Sequence, residues 1–175
     1  AEPTALTALG VHEGADAQDP RAAALVPRRL AERVTAFAAR HQVSEKAVYL
    51  AAHCLTLRTV TGRADITTGV VSHGRPDRAG AESIAGLFLN TLPMRLDDTA
   101  TTWRAAVEQI ARRDRDAYPH RRYPLRSILA DGGPAFETAF NFINYHVFAP
   151  ILGTDRVILR DFDVREDTNF QLLVT

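Results

Sequence analysis

One cysteine, one lysine, one methionine and one tryptophan are all that this 175-residue chain holds of those four types. Cys54 alone cannot close an internal disulfide, so packing must hold the fold, which suits a reducing compartment without requiring one. Net charge is also missing. Lys plus Arg and Asp plus Glu both stand at 21, so no overall field steers the chain toward nucleic acid or a membrane surface. No apolar run approaches the roughly 18 residues that cross a bilayer. The N-terminus carries acidic residues instead of a basic start and an apolar core, so no signal peptide is expected. Together these absences predict a cytoplasmic protein with neither nucleic acid nor membrane as partner. No sequence period repeats, no metal-ligand spacing occurs and no glycine-rich phosphate loop follows a strand, so no metal is expected.

What is present is an ordinary globular composition, 46% hydrophobic and 24% charged, long enough for one domain with a real core. Residues 1–24 lack clear periodicity and read as an extended lead-in, with a short strand expected around Leu6 to Val11. Pro27 sits where a helix would begin, and Leu30, Val34, Phe37, Ala38 and His41 then mark one helical face. Ser44 suits the N-cap of a second helix, apolar on many sides and therefore packed between layers, with Gly62 placed to end it. Ile66 to Val71 reads as a buried strand and residues 72–78 as a loop. Trp103, Ala106, Val107, Ile110 and Ala117 mark a third helix, with Arg104, Arg112, Arg113 and Arg115 toward solvent. Leu125 to Leu129 reads as one or two helical turns. Beyond Gly133 the period changes to that of strands, from Ala139 to Tyr145, from Val157 to Val164 and from Gln171 to Thr175. The run stops in mid-strand, so the chain is expected to be a piece of something larger. Helices and strands in this order predict an α/β layered sandwich with a mixed sheet.

The stretch from Ile84 to Arg95 interrupts this pattern. Gly86 and the run Asn90-Thr91-Leu92-Pro93 break an apolar segment, which marks backbone that bends close to something, with a strand expected to follow over Leu92 to Leu96. Gly86-Leu87-Phe88-Leu89-Asn90-Thr91-Leu92-Pro93-Met94-Arg95 also resembles a signature of the condensation domains of nonribosomal peptide synthetases. Three weaker segments keep the family's order around it. They are Val43-Ser44 through Gly69, the strand exit Gly74-Arg75-Pro76, and Tyr123-Pro124-Leu125 with Phe136 through His146. Thr168-Asn169-Phe170 fits as well, so the resemblance covers about residues 25–175.

The resemblance implies a chloramphenicol-acetyltransferase-like two-layer sandwich, one lobe of a two-lobed domain that joins a carrier-bound donor thioester to an acceptor amine. Its catalytic signature, His-His-x-x-x-Asp-Gly, is absent. His12, His41, His53, His73, His120 and His146 are all isolated. All matched segments belong to the C-terminal lobe, so the resemblance implies that residues 25–175 are that lobe, truncated at both ends and inactive alone. It forms a wall of the substrate tunnel and a docking surface for carriers. Its partners would be the N-terminal lobe and the donor and acceptor carrier domains, which bring phosphopantetheine arms, with no cofactor bound directly. The alternatives are a non-catalytic condensation-like domain that recruits a carrier or partner enzyme, an epimerisation or cyclisation relative, and an acyltransferase using coenzyme A.

No residue of this chain is expected to be catalytic. Asn90 is the first candidate for a tunnel-facing polar group, because an amide both donates and accepts; the competing role is to bend or cap the backbone. Asn90→Ala is expected to lower the rate of the two-lobe protein without unfolding it. Ser72 and His73 leave a strand toward the tunnel in the family's arrangement. Arg95 is placed to meet a phosphate or to bridge the lobes. Arg75 and Asn141 are assigned structural or docking roles, and Asn141, Asn144 and His146 either line the tunnel or brace the sheet. Arg112, Arg113 and Arg115 form either an acidic-carrier site or a plain solvated face. Cys54 reads as a small core residue.

Overall fold

The computed structural model describes Leu6 and residues 22–133, 135–143 and 168–175. The expected strand after Leu6, the run from Val157 to Val164, Asn144 and His146 lie outside the described residues. Helix α1 (Arg28–His41) follows Pro27, and Gln42 closes it in the left-handed region at φ 53°, donating its backbone N–H to Ala38 and Ala39. Helix α2 (Glu45–Thr61) starts where Ser44 Oγ accepts from the Ala47 N–H at 3.1 Å, and Gly62 ends it. Three expectations from spacing alone, the Pro27 start, the Ser44 cap and the Gly62 stop, thus hold.

Strand β1 (Ile66–His73) is longer than expected, and β2 (Leu89–Leu96) begins before Leu92. The reason is pairing: the two strands run antiparallel along their whole length, with Ser72 opposite Asn90 and His73 opposite Leu89. The loop therefore starts at Gly74, whose N–H donates to the Phe88 carbonyl at 2.6 Å. Pro93 lies inside β2 yet does not break it. Among the described residues β2 is an edge strand, and an edge tolerates a residue without a donor. Gly86 precedes the strand at φ 145°, a backbone that a side chain would strain.

Helix α3 (Trp103–Ala117) is capped by Thr102, whose hydroxyl accepts from the Ala105 N–H. A 3-10 turn (Tyr118–His120), helix α4 (Leu125–Ala130), strand β3 (Thr138–Phe140) and strand β4 (Leu172–Val174) follow, and another 3-10 turn (Ala81–Ser83) lies between β1 and β2. The sheet order is β2-β1-β3-β4. Among the described residues only the β1–β2 pair is antiparallel, and β1–β3 and β3–β4 are parallel, so the sheet is mixed as expected.

The core lies between one face of this sheet and the helices α2 and α3. Alternation selects that face: Ile66 and Val70 of β1, with Met94 and Leu96 of β2, join Leu50, Ala51, Cys54 and Leu57 of α2 and Ala106, Val107 and Ile110 of α3. Leu6 is buried in the same cluster, and its N–H donates to Glu137 Oε2 at 2.9 Å, so at least this residue of the lead-in is packed. On the opposite face the Phe136 ring lies over Gly69 and stacks on Phe170 at 5.7 Å between centroids. Two expectations for α3 are corrected. Trp103 is 42% exposed instead of core. Arg113 is not a solvated side chain: it pairs with Asp97 at 2.5 Å and donates to the Arg95 carbonyl. Helix α3 packs against β2, and the long Arg113 side chain reaches the exit of that strand.

Candidate functional site

Parallel β1 and β3 end at the same edge of the sheet at which antiparallel β2 begins, and this brings most of the sequence candidates together. Ser72, His73 and Arg75 leave β1 there, Asn90 enters β2, and Asn141 follows β3. Arg95 does not belong with them. It lies at the far end of β2, opposite Thr67.

Asn90 is fully engaged as a donor. Its Nδ2 donates to the carbonyls of Arg121 at 3.0 Å and Tyr123 at 2.7 Å, and its Oδ1 accepts from the Leu125 N–H at 3.2 Å. One amide thus holds the entry of β2 to the non-helical segment between the turn after α3 and α4, taking up the carbonyls of Arg121 and Tyr123 and the N–H of Leu125. Of the two roles open to Asn90 in the sequence, the geometry displays the backbone-holding one.

Ser72 is half-buried and His73 exposed. Arg75 donates to the carbonyls of Ala81 at 2.7 Å and Ile84 at 2.8 Å, and its guanidinium lies 4.3 Å from the Phe88 ring centroid. It thereby closes the loop that leads into the Gly86 to Arg95 stretch. Arg122 ties the start of the same loop, donating from Nε to the Gly74 carbonyl at 2.9 Å. Asn141 is half-buried, and its N–H donates to the Val174 carbonyl at 2.8 Å.

Arg95 forms a forked pair with Asp65, at 2.8 and 3.0 Å from Nε and 2.5 Å from Nη2. The guanidinium holds the Asp65 carboxyl below the usual carboxylate range through that hydrogen bond. Asp65 precedes β1, so this contact clips β1 to β2 within this part of the chain. The nearby Asp97 carboxyl is held far below its ordinary value by hydrogen bonds from Thr99 and Gln109.

Two features were missed by sequence reasoning. Arg121 is almost fully buried, is paired with Asp77, donates to the Tyr118 carbonyl and lies 4.0 Å from the Tyr118 ring centroid. It fastens the turn after α3 to the loop after β1, a contact between residues 44 apart in sequence that no local pattern signals. The second is a buried polar set beneath the sheet. His53 Nε2 lies 3.1 Å from Thr68 Oγ1, which lies 2.8 Å from Thr138 Oγ1 and 3.0 Å from the Thr138 carbonyl. Thr68 on the inward face of an apolar strand, and His53 on the buried stripe of α2, were the available signals.

Burial pushes the His53 imidazole down from 6.5 to about 4. The folded state therefore favours neutral His53. Its contribution is fully present above the unfolded value of 6.5 and is lost as pH falls toward about 4. At about 1.4 kcal/mol per pH unit the loss amounts to about 3 kcal/mol. Urea unfolding at pH 7.5 and at pH 4.5 checks this: the wild type loses stability on acidification, and His53→Leu loses about 2–3 kcal/mol less over that interval. An equal loss in both proteins would remove His53 as the cause. Burial also pushes the Cys54 thiol up to about 12, in keeping with its place in the core.

A mixed sheet with helices on one face, and the candidate residues gathered at one sheet end, define the fold class found in solved condensation domains, which is chloramphenicol-acetyltransferase-like. The condensation domain from the monacolin K polyketide synthase MokA superimposes with a TM-score of 0.59 at 22% identity, over 67% of this chain and 29% of that one. The first condensation domain of the calcium-dependent antibiotic synthetase, in complex with a substrate analogue, gives 0.58 at 23%, over 65% and 26%.

The sequence itself carries the assignment further. The family model of the condensation domain matches residues 12–171, and the chain belongs to that family, the condensation domains of nonribosomal peptide synthetases. It is similar to the AMB antimetabolite synthetase AmbE of Pseudomonas aeruginosa, with 36% identity over 125 residues, 69% of this chain and 6% of that protein. It is also similar to a linear gramicidin synthase of Brevibacillus parabrevis, with 32% identity over 147 residues, 79% of this chain and 2% of that protein. The chain thus spans a small part of these relatives. Among the described residues no helix is long and apolar enough to cross a membrane, and no cluster of His, Cys, Asp or Glu is arranged to hold a metal.

Proposed function

We propose that residues 25–175 form the C-terminal lobe of a condensation domain and that this lobe works as tunnel wall and carrier-docking surface for amide formation between two carrier-bound groups. The observation that carries this reading is the family match over residues 12–171 on a chain whose six histidines are all isolated. The reaction is attack of an acceptor amine on a donor thioester. Because the thioester is already activated, holding two arms in register supplies much of the rate gain. A histidine that orients or deprotonates the amine would come from the N-terminal lobe.

In this reading Ser72 and His73, at the sheet end where β1 exits, are the polar side chains that meet the phosphopantetheine arm. Asn90 contributes by position. With both Nδ2 hydrogens committed to main-chain carbonyls, it holds residues 121–125 in place beside the same sheet end. Arg95 and Arg75 brace strands and loop.

The test is reconstitution with loaded donor and acceptor carriers, followed by mass spectrometry of the product on the acceptor arm. The chain alone is expected to show no turnover, and the two-lobe protein to show it. Turnover by the chain alone would overturn the proposal. Carrier binding by the two-lobe protein with no product at all would favour the recruiting alternative.

A further inference from the structure

The outward side of α1 is only half covered. Of its 14 residues Ala38 alone is buried. Val34 and Phe37 rest against the core, whereas Leu30 stays 45% exposed and Trp103, in the first turn of α3, stays 42% exposed. With Val48, Arg33 and Arg40 these residues line an open cleft of about 420 Å³. Among the described residues no carboxylate lines it. Among the described residues neither Arg33 nor Arg40 has an ion pair or a side-chain hydrogen bond. The carboxylates of Glu32 and Glu45 are engaged elsewhere, Glu32 with Arg28 and Glu45 with the Thr35 hydroxyl. The helix carries four arginines against one glutamate.

A concave apolar strip with an exposed tryptophan and two such guanidinium groups has the composition of an interface centre, where Trp and Arg carry most of the binding energy. Its positive rim selects a negative partner. A second copy of the chain would bring the same arginines face to face, and a flat bilayer does not fill a cleft. A helix does fill one, because its side chains at i, i+3 and i+4 form a ridge. We infer that this cleft docks an acidic amphipathic helix of another folded domain, with an apolar side chain seated between Leu30, Phe37 and Trp103 and carboxylates on Arg33 and Arg40. The inference stands on the α1 face alone and does not depend on the condensation chemistry.

Trp103 is the only tryptophan, so its fluorescence reports on the cleft directly. The full 175-residue chain is titrated with a synthetic amphipathic helical peptide bearing Leu on one face and Glu on the other, and with the same peptide carrying Lys for Glu. The Glu peptide is expected to give a saturable change in Trp103 emission, weakened at least about fivefold when salt is raised from about 0.05 to about 0.5 M. The Lys peptide should give none. The double variant Arg33→Glu, Arg40→Glu, checked for unchanged thermal unfolding, should bind the Glu peptide at least about tenfold more weakly. The inference is overturned by the absence of a saturable change, by equal binding of the Lys peptide, or by salt-independent binding. It is equally overturned if sedimentation shows a dimer of this chain that Leu30→Asp abolishes, or if vesicles containing phosphatidylserine quench Trp103 where the Glu peptide does not. Should the double variant fail to fold, the salt dependence and the Lys peptide decide the matter on the native chain.

Discussion

Gly69→Ala is expected to destabilise the chain by about 2–3 kcal/mol, the upper range for forcing a methyl group into a packed site. Gly69 sits in β1, paired with Pro93 on one side and Ala139 on the other, so the backbone cannot retreat within the sheet plane. A Cβ there would stand 2.4 Å from Phe136 Cε2 and 2.6 Å from Thr91 Cγ2, both closer than carbon atoms approach. Relief requires the Phe136 ring to swing away, which breaks its stack on Phe170. Unfolding in urea measures the loss, and a double-mutant cycle identifies its cause. With Phe136→Leu in the background, the penalty of Gly69→Ala should fall by at least about 1 kcal/mol, as coupling between touching residues requires. A Gly69→Ala protein as stable as the wild type would show that the ring does not hold this position.

Asn90→Ala is expected to cost about 2 kcal/mol of stability, from three hydrogen bonds worth about 0.5–1.5 kcal/mol each and partly replaceable by water. The motif reading expected the substitution to lower the rate without unfolding the protein, and a loss of this size is compatible with that. The amide holds the carbonyls of Arg121 and Tyr123 and the N–H of Leu125, so its removal frees a whole segment. Hydrogen exchange localises the effect. The Leu125 amide should exchange at least about tenfold faster in the variant, while the amides of α2 change only with global stability. Asn90→Asp separates the two halves of the side chain. It keeps an acceptor for Leu125 but sets a carboxylate oxygen against two carbonyl oxygens, so it should be no more stable than Asn90→Ala. A stable Asn90→Ala protein with unaltered exchange at Leu125 would return Asn90 to a purely ligand-facing role.

These two residues show where local pattern stops being informative. Asn90 was visible as part of an interruption in an apolar run, which marks backbone bending close to something, whereas Gly69 read only as a residue inside a buried strand. What approaches Gly69 is Phe136, and what Asn90 holds is Arg121 to Leu125, and neither partner is within reach of a sequence window. The start of α1 and both ends of α2 were legible because Pro27, Ser44 and Gly62 act on backbone atoms one to three residues away. Strand ends were less legible. Ser72 and His73 look like loop by composition, yet the opposing β2 offers them pairing partners, and pairing decides. Arg95 illustrates the same limit among charges. A guanidinium at the end of a signature motif invites a phosphate, but Asp65, 30 residues earlier, is close enough to hold it in a fork.

The sequence by itself determined the fold class, the start of α1 and both ends of α2, the mixed α/β layering and the family, because propensity, caps and an ordered set of short segments are all properties of neighbouring residues. Only the tertiary structure decided which candidate side chains share one end of the sheet and what each of them holds. It also revealed the Arg121 to Asp77 fastening, the His53 set beneath the sheet and, among the described residues, the half-covered face of α1. Those depend on which residues far apart in the chain are brought within a few ångströms, and that is set by strand register and helix packing together.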